Sequence, residues 1–188
     1  MSARPHETNV LVRRLQRACA LDGFGVRSLG VYNEYRFVDR WFVRAPLEAT
    51  YDVVGDTVGY PRWWGDVFVT VEGDDGPPRP GRHAKIVSRG FLPYLLRWEA
   101  EIVDADAPRR FAFVMKGDFV GAGHWTFEPA DGGTSAVFDF RPRVEKPGVK
   151  QLSPLLKPLF RWNHRWAMRR GERGVSVLFA RGPGRRGG

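Results

Sequence analysis

The 188-residue chain is 43% hydrophobic and carries a formal charge of +9, enough apolar content for one domain with a packed core. It has no run of about 18 uncharged apolar residues, which excludes a membrane-spanning helix, and its single cysteine, Cys19, excludes an intrachain disulfide and a cysteine-built metal cluster. The charge is uneven: residues 146–188 hold 11 Lys or Arg against one acid, Glu172, while residues 36–145 are net −3, so the basic character belongs to the C-terminal segment.

Residues 1–30 read as an N-terminal extension, partly helical over Glu7–Ala20, where Val10, Leu11, Leu15 and Ala18 fall on one side before Asp22-Gly-Phe-Gly25 ends the pattern. Arg13, Arg14 and Arg17 break up its apolar residues, so no signal-peptide pattern is present and a cytoplasmic location is expected. Val31 is an alternative start of translation if a valine codon initiates it, and the domain is expected to run over residues 31–180.

Tyr35–Arg44 reads as the first strand, ended by Ala45-Pro46. Proline suits a first helical turn and Glu48 suits the positive end of the helix that follows. Leu47, Tyr51 and Val54 share a face of that helix. Asp56 is placed to cap a second short helix, bounded by Pro61.

A series of strands follows. Val67, Val69 and Val71 alternate, then a loop rich in Pro and Gly runs from Asp74 to Gly81. His83–Arg89 alternates around Ala84 and Ile86. Leu96, Trp98, Ala100 and Ile102 alternate with charged residues, and Phe111, Phe113 and Met115 repeat the pattern. Gly117-Asp118 suits a tight hairpin. Gly121, Gly123, Trp125 and Phe127 come next, then a turn over Pro129–Gly133, and last Thr134, Ala136, Phe138 and Phe140. A period of two with one apolar face means a sheet covered on one side, hence antiparallel. Arg141, Arg143 and Glu145 fall on the outer face, where cross-strand charge pairs are expected.

Pro154–Ala180 reads as one long helix weakened by Gly171 and Gly174. It carries two neighbouring stripes: Leu155, Leu159, Trp162 and Trp166, and beside them Leu156, Phe160, Asn163, Ala167, Arg170 and Gly174. Residues 181–188 read as a basic, disordered tail.

This order of elements, together with Ala45-Pro-x-Glu-x-x-Tyr-Asp-Val, Tyr60-Pro-x-Trp-Trp64, the Gly132-Gly-Thr134 turn and Arg161-Trp-Asn-His-Arg-Trp166, resembles the START/Bet v 1-like (SRPBCC) superfamily, specifically its polyketide cyclase/dehydrase and lipid-transport group. The resemblance covers about residues 33–180. It implies an α+β helix-grip fold, in which a curved seven-stranded antiparallel sheet wraps around a long C-terminal helix and two short helices follow the first strand. It also implies a cavity between sheet and helix. It does not imply one activity, because members of that superfamily cyclise polyketides, carry lipids, bind hormones or assist other proteins.

The apolar sheet face and the helix must cover each other. The residues expected at a ligand-binding cavity are Trp98, Phe113, Trp125 and Phe138 from the sheet, and Asn163, Trp166, Ala167 and Arg170 from the helix. Gly121 and Gly123 are expected to leave space beside Trp125. Asn163 and Arg170 interrupt an apolar stripe and so need a partner: a water, a carboxylate such as Asp139 or Glu99, or the ligand. Trp63 and Trp64 are adjacent, so one is expected to pack under the second short helix and the other to sit at the cavity entrance.

None of the four histidines, His6, His83, His124 and His164, stands in a metal-binding spacing, and neither a metal nor a cofactor is expected. No nucleophile elbow or phosphate loop occurs. The leading expectation is a binding protein for a hydrophobic small molecule: a lipid, a polyketide or an aromatic compound. A second is a cyclase or dehydratase of the polyketide type, with Arg170, Asn163, Arg89 or His83 polarising a carbonyl. A third is an adaptor acting through the basic helix. Lys157, Arg161, Arg165, Arg169 and Arg173 recur every four residues as a basic stripe, either a solvated back face or a contact with an anionic membrane, RNA or an acidic ligand tail. Base-stacking motifs are absent, so specific nucleic-acid recognition is not expected.

Overall fold

The computed structural model of the chain describes residues 35–91, 94–145 and 157–181. The expected N-terminal extension, residues 154–156 of the expected helix and residues 182–188 of the expected tail lie outside them.

Seven strands form one antiparallel sheet in the order β1-β7-β6-β5-β4-β3-β2. They are β1 (Phe37–Val43), β2 (Phe68–Gly73), β3 (His83–Arg89), β4 (Leu95–Asp106), β5 (Arg110–Gly117), β6 (Phe119–Ala130) and β7 (Gly133–Val144). Between β1 and β2 lie α1 (Leu47–Gly55), a single 3-10 turn (Thr57–Gly59) and the one-turn α2 (Tyr60–Trp63). The long α3 (Lys157–Ala180) closes the chain and packs on β1 and α2. All six connections from β2 to β7 and back to β1 are antiparallel pairs, so hairpins build the sheet and only β1 is brought in from a distance.

The alternation in the sequence becomes the inner face of the sheet. Trp41 and Val43 on β1, Ala84 and Ile86 on β3, Leu96 and Ile102 on β4, Phe111 and Met115 on β5, Trp125 and Phe127 on β6, and Ala136 and Phe138 on β7 are all buried. Tyr51 and Val54 of α1 cover one end of this face, with the Tyr51 ring edge-on to Phe111 and Phe127. The start of α1 is fixed by Pro46, whose carbonyl accepts bonds from both the amide and the hydroxyl of Thr50. The buried hydroxyl of Thr134 ties β7 to the carbonyl of Ala45 at 2.8 Å.

Several local expectations are corrected. Val67, Val69 and Val71 do not form one buried row. A register shift between Phe68 and Thr70 puts Phe68 into the core and leaves Val69 facing solvent. Asp56 makes no side-chain cap bond; its carboxylate lies 3.7 Å from both Arg62 and the buried Arg82. Arg82 instead ties the segment together by donating to the carbonyls of Asp74 and Gly55. The charged residues on β7 pair both across strands and along their own: Asp139 binds Arg36, just before β1, and also Arg141, while Arg143 binds Glu145, because residues two apart on a strand share a face.

The two glycines of α3 do not interrupt it. They are contact points where bulky neighbours approach the helix. A Cβ on Gly171 would stand 2.5 Å from the Trp64 indole and 2.7 Å from that of Trp41, and one on Gly174 would run into the carbonyl of Trp63. Around them Met168 and Val175 are buried, so the helix face turned to the sheet runs through Phe160, His164, Ala167, Met168, Gly171 and Val175. Trp162 is turned away from it and 43% exposed, while Trp166 stays partly buried against the edge of the core.

Candidate functional site

Between the sheet and α3 lies a partly open cavity of about 160 Å³. Its floor is the sheet: Ile86 and Ser88, Leu96, Trp98, Ala100 and Ile102, Phe111 and Phe113, Trp125, Phe138 and Phe140. Phe160, Asn163, His164, Ala167 and Met168 of α3 form the roof. Thr57, Tyr60 and Trp64 close one end, and Tyr35, Phe37, Tyr94 and Phe119 stand at the other. The walls are overwhelmingly aromatic and aliphatic, the composition that suits an apolar guest.

The rings form an ordered series. Trp125 stacks on Phe138 with centroids 4.5 Å apart, and Phe138 on Phe140 at 5.1 Å. The His164 imidazole lies parallel to Phe140 at 5.6 Å and to Phe37 at 3.9 Å. The stack therefore ends on a titratable ring. Nε2 of that ring is 2.7 Å from Oδ2 of Asp39. Asp39 reaches it because it occupies the inward phase of β1, between Phe37 and Trp41. Both side chains are largely shielded, 13% and 23% exposed.

The other polar groups along the walls are mostly engaged. Ser88 accepts a bond from the Trp98 indole at 2.9 Å, and the Trp64 indole donates to the carbonyl of Ala167 at 2.9 Å. Tyr60 donates its hydroxyl to the carbonyl of Val54, and burial holds that phenol above its ordinary pKa. Burial likewise raises Tyr94. Arg89 donates to the carbonyl of Asp66 at 3.0 Å. Among the described residues no group of three or more His, Cys, Asp or Glu stands where it could hold a metal ion.

Of the ten residues expected at a ligand site, Trp64, Trp98, Phe113, Trp125, Phe138, Asn163 and Ala167 line the cavity. Trp63, Trp166 and Arg170 do not. Trp63 stacks on the outer side of Trp64. Trp166 stays outside the cavity, partly buried against the edge of the core, with the exposed Arg170 guanidinium 5.5 Å from its ring and bound to Asp66 at 2.9 Å. Arg170 was expected inside because the Asn163–Arg170 stripe would face the sheet as a whole, and Trp166 because its neighbouring stripe would share the same space. The small residues Ala167 and Gly171 set the rotation instead, because only they let Trp64 and Trp41 approach. The partner of Asn163 is a backbone group: its Oδ1 accepts from the amide of Phe91 at 2.6 Å. His83 is exposed on the outer phase of β3.

Gly121 and Gly123 do not open the cavity. The space over Gly123 is filled by the Phe113 ring. Gly121 has φ +144° and its missing Cβ would meet the carbonyl of Arg141. Asp39 and His164 escaped sequence reading, although the signal exists: an acid in phase with Phe37, Trp41 and Val43, and a histidine four residues from both Phe160 and Met168.

A curved antiparallel sheet closed by a long helix over an apolar cavity defines a helix-grip domain of the START/Bet v 1-like type. The chain belongs to the polyketide cyclase/dehydrase and lipid-transport family, whose model matches residues 36–173. No curated protein sequence matches it. Among solved structures it is similar to the Zhui aromatase/cyclase from Streptomyces sp. R1128, at 16% identity and TM-score 0.64, over 79% of this chain and 94% of that one. It is also similar to TTHA0849 from Thermus thermophilus, at 23% identity and TM-score 0.59, over 78% and 99%. The di-domain aromatase/cyclase BexL of the BE-7585A biosynthetic pathway matches at 14% identity and TM-score 0.63, over 92% of this chain and 59% of that one. At such identities the likeness is one of fold.

Proposed function

We propose that the protein binds a hydrophobic small molecule, a lipid, polyketide or aromatic compound, in the cavity between the sheet and α3. The observation that carries this reading is the cavity itself: about 160 Å³ in a core otherwise crowded with aromatic rings. Protein interiors rarely leave such space, and an apolar cavity of ~150 Å³ is large enough to take up benzene. A planar apolar guest would continue the Trp125–Phe138–Phe140 stack. A reducing, cytoplasmic setting suits a chain with one cysteine.

The test is native mass spectrometry of protein purified from its own host, together with titration of the fluorescent apolar probe 1-aminoanthracene. The expected result is a bound apolar compound and one probe site per chain. Ala167→Leu and Ala100→Phe both fill the cavity and should abolish probe binding. Unchanged binding in both variants overturns the reading.

The His164–Asp39 pair favours a second reading, catalysis on the bound molecule. An imidazole held by a carboxylate and facing an apolar chamber suits general acid–base work. In a cyclising dehydration, the His164 imidazole takes the proton from a carbon next to a carbonyl. The resulting carbanion adds to a carbonyl carbon further along the chain, breaking its C=O π bond, and the imidazolium gives the proton to the alkoxide. The imidazole then takes the second proton from the same carbon and delivers it to the hydroxyl, which leaves as water as the C=C bond forms. His164→Gln and Asp39→Asn should then stop turnover of a host-derived polyketide while leaving probe binding intact. Turnover that survives both substitutions rules this reading out.

A further inference from the structure

The outer face of α3 carries a second constellation. Trp162, Arg165, Trp166, Arg169, Arg170 and Arg173 line a shallow groove there. Their spacing of three and four residues puts them on one face of the helix. Arg165, Arg169 and Arg173 are exposed, and none makes an ion pair among the described residues. Trp162 is 43% exposed and Phe91, from the loop before β4, is 59% exposed; their rings meet edge to face at 4.4 Å. Solvated basic faces do not require large exposed rings among their arginines, so the pattern asks for a partner that is both anionic and apolar.

We propose that this face docks on a membrane surface rich in anionic lipid, with Trp162 and Phe91 entering the headgroup layer and the arginines pairing with lipid phosphates. Amphipathic rings flanked by cations are the combination that holds a helix in a bilayer interface. The charge distribution agrees, since the described part of α3 carries Arg161, Arg165, Arg169, Arg170 and Arg173 against the single acid Glu172 while residues 36–145 are net negative, so the molecule would approach with this face forward. The position agrees as well. The amide of Phe91 is bound to Asn163, and Asn163 lines the cavity, so docking sets the cavity wall against the interface where apolar compounds collect.

The full chain is incubated with phosphatidylcholine vesicles, with vesicles containing about a third phosphatidylglycerol, and with the latter made from brominated acyl chains. The expected result is sedimentation with the anionic vesicles only, suppressed by high salt, and quenching of tryptophan fluorescence by the brominated chains. An arginine near an anionic surface contributes about fivefold in partitioning. Arg165→Glu with Arg169→Glu, both exposed and outside the core, should therefore weaken partitioning by more than about tenfold. Trp162→Phe should keep sedimentation and lose much of the quenching. Equal binding to neutral and anionic vesicles, or retention on polyglutamate or a nucleic-acid duplex as strong as on vesicles with no quenching, overturns the proposal. Titration of 1-aminoanthracene without vesicles reports on the cavity separately, so the double arginine variant should bind that probe as before.

Discussion

The imidazole of His164, on the C-terminal helix, is bound at 2.7 Å by the carboxylate of Asp39, on the first strand, at the end of a stack of aromatic rings. The pair joins two elements 125 residues apart in the chain and is the one titratable contact between β1 and the cavity roof among the described residues. A double-mutant cycle with Asp39→Ala and His164→Ala should give a coupling energy of about 1–3 kcal/mol by urea unfolding. Additive effects would show that the two residues act independently.

Filling the site over Gly123 should change the cavity as well as the stability. In Gly123→Ala the new methyl meets the Phe113 ring, which lines the cavity. Overpacking of this kind costs roughly 1–3 kcal/mol, and a ring pushed inward should weaken probe binding. Adding Phe113→Leu should recover stability. If the double variant is no more stable than Gly123→Ala, the Phe113 contact is not the cause.

The helix is held close to the short helix α2 by small residues. Gly171→Ala places a methyl 2.5 Å from the Trp64 indole and should destabilise by roughly 1–3 kcal/mol. Trp64→Phe removes the indole's added bond to the Ala167 carbonyl and part of a buried ring, at about 1–3 kcal/mol. Thermal unfolding followed by near-ultraviolet circular dichroism measures both; a change below about 0.5 kcal/mol in either would contradict the close contact.

Acid should weaken the fold through His124. Burial, reinforced by Arg110, holds its pKa below the ordinary 6.5, although Asp139 opposes the shift. The unfolded chain therefore takes up the proton first as pH falls. The stability contributed by the neutral ring is complete above about pH 6.5 and is lost as the pH drops toward the folded value. Urea unfolding at pH of about 7.5 and about 5.5 should show a smaller loss in His124→Asn than in the parent. An equal loss in both would place the acid sensitivity elsewhere.

The strand alternation of residues 83–140 and the Pro46 helix start were legible because each depends on neighbours a few residues away: period two sets a strand's buried face, and proline fixes a first turn. The order of these elements was enough to indicate the sheet and its covering helix. The bulge at Phe68–Thr70 was not legible, since a register shift is chosen by the partner strand. Neither was the rotation of the last helix. Two stripes of similar apolar content lie side by side on it, and the choice between them was made by how closely Trp41 and Trp64 approach Ala167 and Gly171. That choice left Trp166 and Arg170 outside the cavity and brought His164 into it. By itself, then, the sequence determined a one-sided antiparallel sheet covered by a long helix, because hydrophobic periodicity is a local property. Only the tertiary structure decided where the empty space lies and which polar groups face it, because that depends on the fit of side chains more than a hundred residues apart.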